Sequence, residues 1–149
     1  MCCRRLYSLV PFVLWSIGCP MAQDLVMERS DEGVLVLEGS DSVLFFQSDE
    51  KSLDGRYARA AYIHPLWSLD GAVLTEDFPE DHLHHRGMFW AWHQVYVDGK
   101  RMGDAWECRD FHWDVRRVDL VGSDDRSIVL AAETEWSSPA LTDRRGRPE

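Results

Sequence analysis

Apolar residues along this chain come in short runs separated by turn-forming residues. Val34-Leu35-Val36-Leu37 and Val43-Leu44-Phe45-Phe46 flank the quartet Glu38-Gly39-Ser40-Asp41. Two β-rich runs joined by such a quartet predict a hairpin. A polar segment, Ser48 to Arg56, reads as a loop with Asp54-Gly55 as its turn signal. Ala60-Ala61-Tyr62-Ile63-His64 is cut by Pro65, and Ala72-Val73-Leu74-Thr75 follows a turn at Asp70-Gly71. Met88 to Val97 is the longest apolar run after the N-terminal region, and Asp98-Gly99 predicts a tight hairpin into Lys100–Trp106. Phe111–Leu120 and Ser127–Trp136 flank Gly122-Ser123-Asp124-Asp125, a further hairpin. No segment sustains a 3.6-residue apolar period, and no internal repeat is present. Many short strands with regular turn signals predict an all-β fold, an antiparallel β-sandwich. Ser137 to Glu149 offers no closing strand. Unpaired sheet edges expose donors and acceptors, so the domain reads as an incomplete part of a larger sandwich.

The N-terminal region has a different pattern. Arg4 and Arg5 precede an apolar run from Leu6 to Ile17 and then small and polar residues, the layout of a secretory signal peptide. A membrane-spanning helix needs about 20 apolar residues, whereas this run is shorter and broken by Pro11. The reading is a signal peptide over residues 1–22, cut after Ala22, and an all-β domain over 23–149. The mature protein is expected to be exported, periplasmic or extracellular, with no membrane span. Lipid attachment at Cys19 is the weaker alternative. Cys2, Cys3 and Cys19 lie in the signal region, which leaves Cys108 alone and no disulfide framework. A free cysteine most often behaves as a small buried hydrophobe. The net charge of −10 becomes −12 once Arg4 and Arg5 are removed. Such an acidic surface repels phosphates, so nucleic acid is excluded as a partner. A neutral small molecule or a glycan remains.

The chemistry concentrates in Asp77-Phe78-Pro79-Glu80-Asp81-His82-Leu83-His84-His85-Arg86-Gly87. The chain has 6 histidines, and all but His112 fall between His64 and His93. Histidine titrates near neutrality and binds metals or shuttles protons. On an extended segment His82 and His84 share one face, about 7 Å apart, with His85 opposite. Two imidazoles and a carboxylate make a divalent-metal half-site that His64 or His93 could close. Acid–base chemistry is the other functional reading, because Asp77, Glu80 and Asp81 would favour the imidazolium and Arg86 could hold an anionic group. The plain alternative is a solvated polar loop.

Alternation along Met88–Val97 puts Trp90, Trp92 and Tyr96 on one face, a flat platform of the kind on which sugar rings stack. Aromatic core packing is the competing reading. His93 reads as a hydrogen-bonded core histidine, and Trp67, Trp106, Trp113, Trp136 and His112 as packing residues.

Tyr62-Ile63-His64-Pro65-Leu66, Asp70 to Pro79 and Asp81 to Trp90 together resemble the soluble bacterial family labelled "methane oxygenase PmoA-like". The resemblance covers about Val43 to Trp136, and its most specific part is the His-His-Arg-Gly stretch. It implies an exported all-β protein whose relatives continue past Glu149. The label implies copper or iron at His82, His84 and His85. The expectation drawn from residues and resemblance together is a carbohydrate-handling protein working by acid–base or metal-assisted chemistry. His82, His84, His85 and Arg86 are its catalytic candidates, and His64, Asp77, Trp90 and Trp92 its substrate contacts. A divalent metal at His82, His84 and His85 is the candidate cofactor. The alternatives are a metal-dependent oxygenase and a non-catalytic glycan-binding or structural module.

Overall fold

A computed structural model describes residues 24–124 and 127–141. The expected signal peptide, Cys19, Asp125 and the basic C-terminal end lie outside these residues. Strands β2 (Gly33–Glu38) and β3 (Asp41–Gln47) form the predicted hairpin, and β1 (Leu25–Arg29), which the sequence did not predict, pairs with β2 to extend it into an antiparallel meander. Gly39 takes φ 61° in the turn between β2 and β3. The segment Ser48–Arg56, read as a loop, instead carries β4 (Lys51–Leu53) and the start of β5 (Arg56–Arg59). Asp54 and Gly55, at φ 52° and 76°, make its tight turn. Positive φ at both central positions matches the right-handed twist of the flanking strands.

β6 (Tyr62–Leu66) runs through Pro65 across a cis His64–Pro65 peptide. It lies between β3 and the two-residue β7 (Met88–Phe89), giving a five-stranded antiparallel sheet of order β1-β2-β3-β6-β7. Ala72–Thr75 forms no strand, and Val73 makes a single bridge to Trp67. The expected long strand Met88–Val97 is broken. Residues 90–94 leave the sheet, Gln94 takes φ 53°, and pairing resumes at β8 (Val95–Val97) with β9 (Lys100–Gly103) through the Asp98-Gly99 turn. β10 (His112–Ser123) and β11 (Ile128–Ser137) form the last predicted hairpin, with Trp113 opposite Trp136.

The fold is all-β and sandwich-like, with one five-stranded sheet and three two-stranded ones among the described residues. Val34 and Val36 on β2 and Tyr62 on β6 are buried. A cluster of Ala60, Met102, Ala105, Phe111 and Trp113 joins β5, β9 and β10, with Ala91, Cys108 and Trp136 packed against it. The guanidinium of Arg29 donates to the carbonyl of Val118, tying β1 to β10. Among the described residues no helix is long and apolar enough to cross a membrane.

Candidate functional site

Among the described residues two arginines are buried to zero exposure, Arg59 and Arg86. Arginine is among the residues least often fully buried unless it is paired. Each one here organises a wall of the same site.

Arg86 closes the histidine loop. Its Nε donates to Asp77 Oδ1 at 2.5 Å, Nη1 to the carbonyls of Lys51 and Tyr57 at 3.0 and 2.8 Å, and Nη2 to the Tyr62 hydroxyl at 2.6 Å. The guanidinium stacks 3.6 Å from the Phe78 ring centroid and 4.7 Å from that of Tyr62. Tyr57 and Phe78, which supply a carbonyl and a ring to Arg86, both sit in the left-handed region, at φ 54° and 57°. Such conformations cost about 1–3 kcal/mol and persist where the surroundings over-determine them. Burial works to raise the Asp77 carboxyl, but hydrogen bonds and charge from Lys51 and Arg86 outweigh it and hold it below the ordinary carboxylate range. Burial pushes the Tyr62 phenol up to about 12. The residues expected to act on substrate as Arg86 and Asp77 therefore spend their polar atoms on each other and on the scaffold.

Between these two residues the backbone turns back on itself. Phe78 N–H donates to His85 O, His82 N–H to Pro79 O, and His85 N–H to His82 O. The segment is not extended, so the alternation expected for His82, His84 and His85 does not hold. His82 stacks on His85 with centroids 4.8 Å apart and planes at 12°. His84 meets His85 edge-on at 4.5 Å and His82 at 6.0 Å. Asp81 pairs with His82 at 3.0 Å.

Arg59 holds the opposite wall. It lies between the rings of Phe89 and Trp113, 4.3 and 4.4 Å from their centroids. Its Nη2 donates to Ala105 O at 2.5 Å, Trp106 O at 3.3 Å and Cys108 Sγ at 3.2 Å. These contacts fix the turn Asp104–Arg109, whose ends pair with each other. Burial lowers the Arg59 pKa and raises that of the Cys108 thiol. Cys108 is a half-buried thiol packed against the core cluster, in keeping with the small-hydrophobe reading of its sequence position.

The two walls meet at Trp106. Its ring centroid lies 6.3 Å from His84, 5.5 Å from His85, 5.5 Å from His93 and 5.4 Å from Phe89. The backbone N–H of Trp106 donates to Trp92 O, which brings in the irregular stretch after β7. His93, expected in the core, has a side chain 57% exposed and hydrogen-bonds Asp104 through Nδ1 at 3.1 Å. Burial keeps His84 below the usual imidazole range. Glu107 opposes that shift, while His85, His82 and Arg59 reinforce it. The group is therefore a partly exposed indole with three imidazoles against it, one of them, His84, with its pKa lowered by burial.

Other expected contacts fall elsewhere. His64 hydrogen-bonds Thr75 through Nδ1 at 2.9 Å. Burial lowers its pKa, opposed by Asp77 and aided by Lys51 and Arg86. Its partners place it on the Lys51–Asp77 surface, and none of its contacts is with the imidazole group. Trp90 and Trp92 are 71% and 52% exposed and meet at 71°, so they present an edge-to-face pair and not the flat platform expected. Trp92 continues inward to Trp136 at 5.5 Å, then to Phe111 at 5.3 Å. His112 is exposed and meets Glu50 at 3.4 Å, where packing was expected. His93 was considered as a neighbour that could close the histidine site, whereas Trp106 was read as packing and Asp104 was not singled out. The signal was present in the Asp98-Gly99 hairpin, which returns the chain to the histidine-bearing segment.

A metal at His82, His84 and His85 does not fit this geometry. Imidazole lone pairs lie in the ring plane, and two nearly parallel stacked rings cannot aim theirs at one ion about 2 Å from each nitrogen. Among the described residues no three His, Cys, Asp or Glu side chains form a group able to hold a metal ion.

Fold and site thus define an all-β protein with an indole-centred imidazole cluster. The family model of a family of unknown function, DUF6807, matches residues 33–146, and the chain belongs to that family. No curated protein and no solved structure matches it.

Proposed function

We propose that this is an exported carbohydrate-handling protein that moves protons on a sugar resting against Trp106. The observation that carries this reading is the convergence of His84, His85 and His93 on one partly exposed indole. Aromatic faces offer sugars an apolar surface, and imidazoles beside them serve as acid and base. His84, whose pKa burial lowers, takes a proton from a carbon next to the sugar carbonyl. The C–H electron pair moves into the C–C bond as the carbonyl becomes an enolate, and a second protonated group returns a proton to carbon as the carbonyl re-forms. The reaction class is isomerisation or epimerisation. The Arg4-Arg5 and Leu6–Ile17 layout supports the export part of this reading.

The test is deuterium wash-in. The protein is incubated in D2O with a panel of neutral aldoses and ketoses, and C–H to C–D exchange beside the carbonyl is read by NMR. Exchange is expected with at least one sugar, and His84→Ala lowers it about 10²-fold or more, the usual weight of a general base. No exchange with any sugar overturns the reading. The exposure of Trp90 and Trp92 favours a second reading, glycan capture without turnover, for which binding survives His84→Ala and fails in Trp92→Ala.

A further inference from the structure

We infer that His93, oriented by Asp104, is the second proton carrier of this site. The inference rests on the carbohydrate reading above and assigns the group that returns the proton.

The Asp104 side chain is 8% exposed and sits at the start of the turn that carries Trp106. Both its oxygens lie near His93 Nδ1, at 3.2 and 3.1 Å, and its Oδ1 also accepts the backbone N–H of Glu107 at 3.0 Å. An ionised carboxylate only accepts hydrogen bonds, so Nδ1 must carry the hydrogen. The neutral ring is then the Nδ1–H tautomer, and the lone pair falls on Nε2. The carboxylate that selects the tautomer also fixes the ring and faces the positive charge that arrives with a proton, the logic of a His–Asp pair. The imidazole is tilted 35° to the Trp106 plane at 5.5 Å. Its exposure leaves it open to a molecule resting on that indole.

The balance is simple. His84 receives the proton removed from carbon, and the protonated His93 delivers one from Nε2 to the same carbon as the enolate collapses to the carbonyl. His84 ends protonated and His93 neutral. Exchange with solvent resets both, so no oxidant or co-reactant is needed. His93 is a catalytic residue in this scheme and Asp104 a positioning residue. The two carriers come from different segments, His84 from the loop before β7 and His93 from the stretch between β7 and β8, and the turn after β9 brings Asp104 and Trp106 to meet them.

The test uses the full chain in two measurements. In the D2O assay on the sugar that exchanges, His93→Gln is expected to lose about 10²-fold or more in rate with KM within threefold. Asp104→Asn is expected to lose rate without losing the fold, judged by circular dichroism. In imidazole 15N NMR, the neutral His93 of the natural protein is expected as the Nδ1–H tautomer, and Asp104→Asn to give a mixture, a change a purely structural carboxylate would not produce. Wild-type exchange rates in His93→Gln, or an Nε2–H tautomer in the natural protein, overturn this proposal while leaving the sugar reading intact. Absence of exchange with every sugar overturns both.

Discussion

At the residue scale the decisive groups are the two guanidiniums, and their consequences can be measured. Arg86 and Asp77 form a buried pair with 0% and 7% side-chain exposure. Removing one member of such a pair leaves an uncompensated charge and costs about 3–5 kcal/mol. Asp77→Ala and Arg86→Ala are each expected to lower the urea midpoint accordingly. Lys51→Ala, which removes a side chain 50% exposed, should cost under about 1 kcal/mol. The pH dependence has a defined sign. The Asp77 carboxyl is held low, so its contribution is fully present above the unfolded value of about 3.9 and is lost as pH falls through the folded one. The imidazoles of His64 and His84 are also held low. Below about pH 6.5 the unfolded chain binds protons there that the folded chain refuses, so stability declines with acid. Denaturation between pH 7 and pH 5 should show this slope in the natural protein and a flatter one in the His64→Gln, His84→Gln double variant.

At the element scale the turns carry the argument. Gly87 ends the histidine loop at φ 55°, and an added Cβ would overlap Ile63 O and come within 2.8 Å of His64 Cβ. Gly99 has φ 77° with nothing near its open side. Gly99→Ala is expected to cost only the left-handed backbone penalty, about 1–2 kcal/mol. Gly87→Ala adds a clash with β6, so its melting point should fall further, and thermal melts of the two variants check the difference. Gly39, Gly55, Gly71 and Gly99 sit at turns that could be read from dipeptides, because a positive φ has few residue solutions. For the same reason the β2–β3 and β8–β9 hairpins were legible, while β10–β11 was legible from its two β-rich runs and β1 was not predicted. The break inside Met88–Val97 was not. Its apolar residues are consistent with a strand, and the departure comes from a distant partner, the Trp106 N–H that claims Trp92 O. Likewise nothing local marks Arg59 and Arg86 as buried. Their aromatic and carbonyl partners come from segments far apart in sequence, so the histidine cluster was visible while its indole centre was not.

At the scale of the whole molecule, core and site share parts. Trp113 is 5% exposed and forms one face of the sandwich around Arg59, and that guanidinium holds the turn bearing Trp106. Trp113→Ala is therefore expected to act twice. It removes core packing worth about 3–5 kcal/mol, and it frees the Asp104–Arg109 turn. Calorimetry should record the first effect, and loss of the fixed His93 tautomer by NMR the second.

The segment closed by Asp77 and Arg86 is anchored mainly at its two ends and along its own backbone, with one further hydrogen bond, from Cys108 Sγ to the His84 carbonyl. Its imidazoles touch each other, Trp106 and Phe89, none of which belongs to the buried cluster around Phe111 and Trp113. The stretch from Pro79 to His85 thus behaves as an interchangeable cartridge, clipped into a frame that does not read what it holds. Rewriting its side chains can redirect chemistry at little thermodynamic risk, provided the clip residues stay. A chain with His82, His84 and His85 all replaced by glutamine should melt within a few degrees of the natural one.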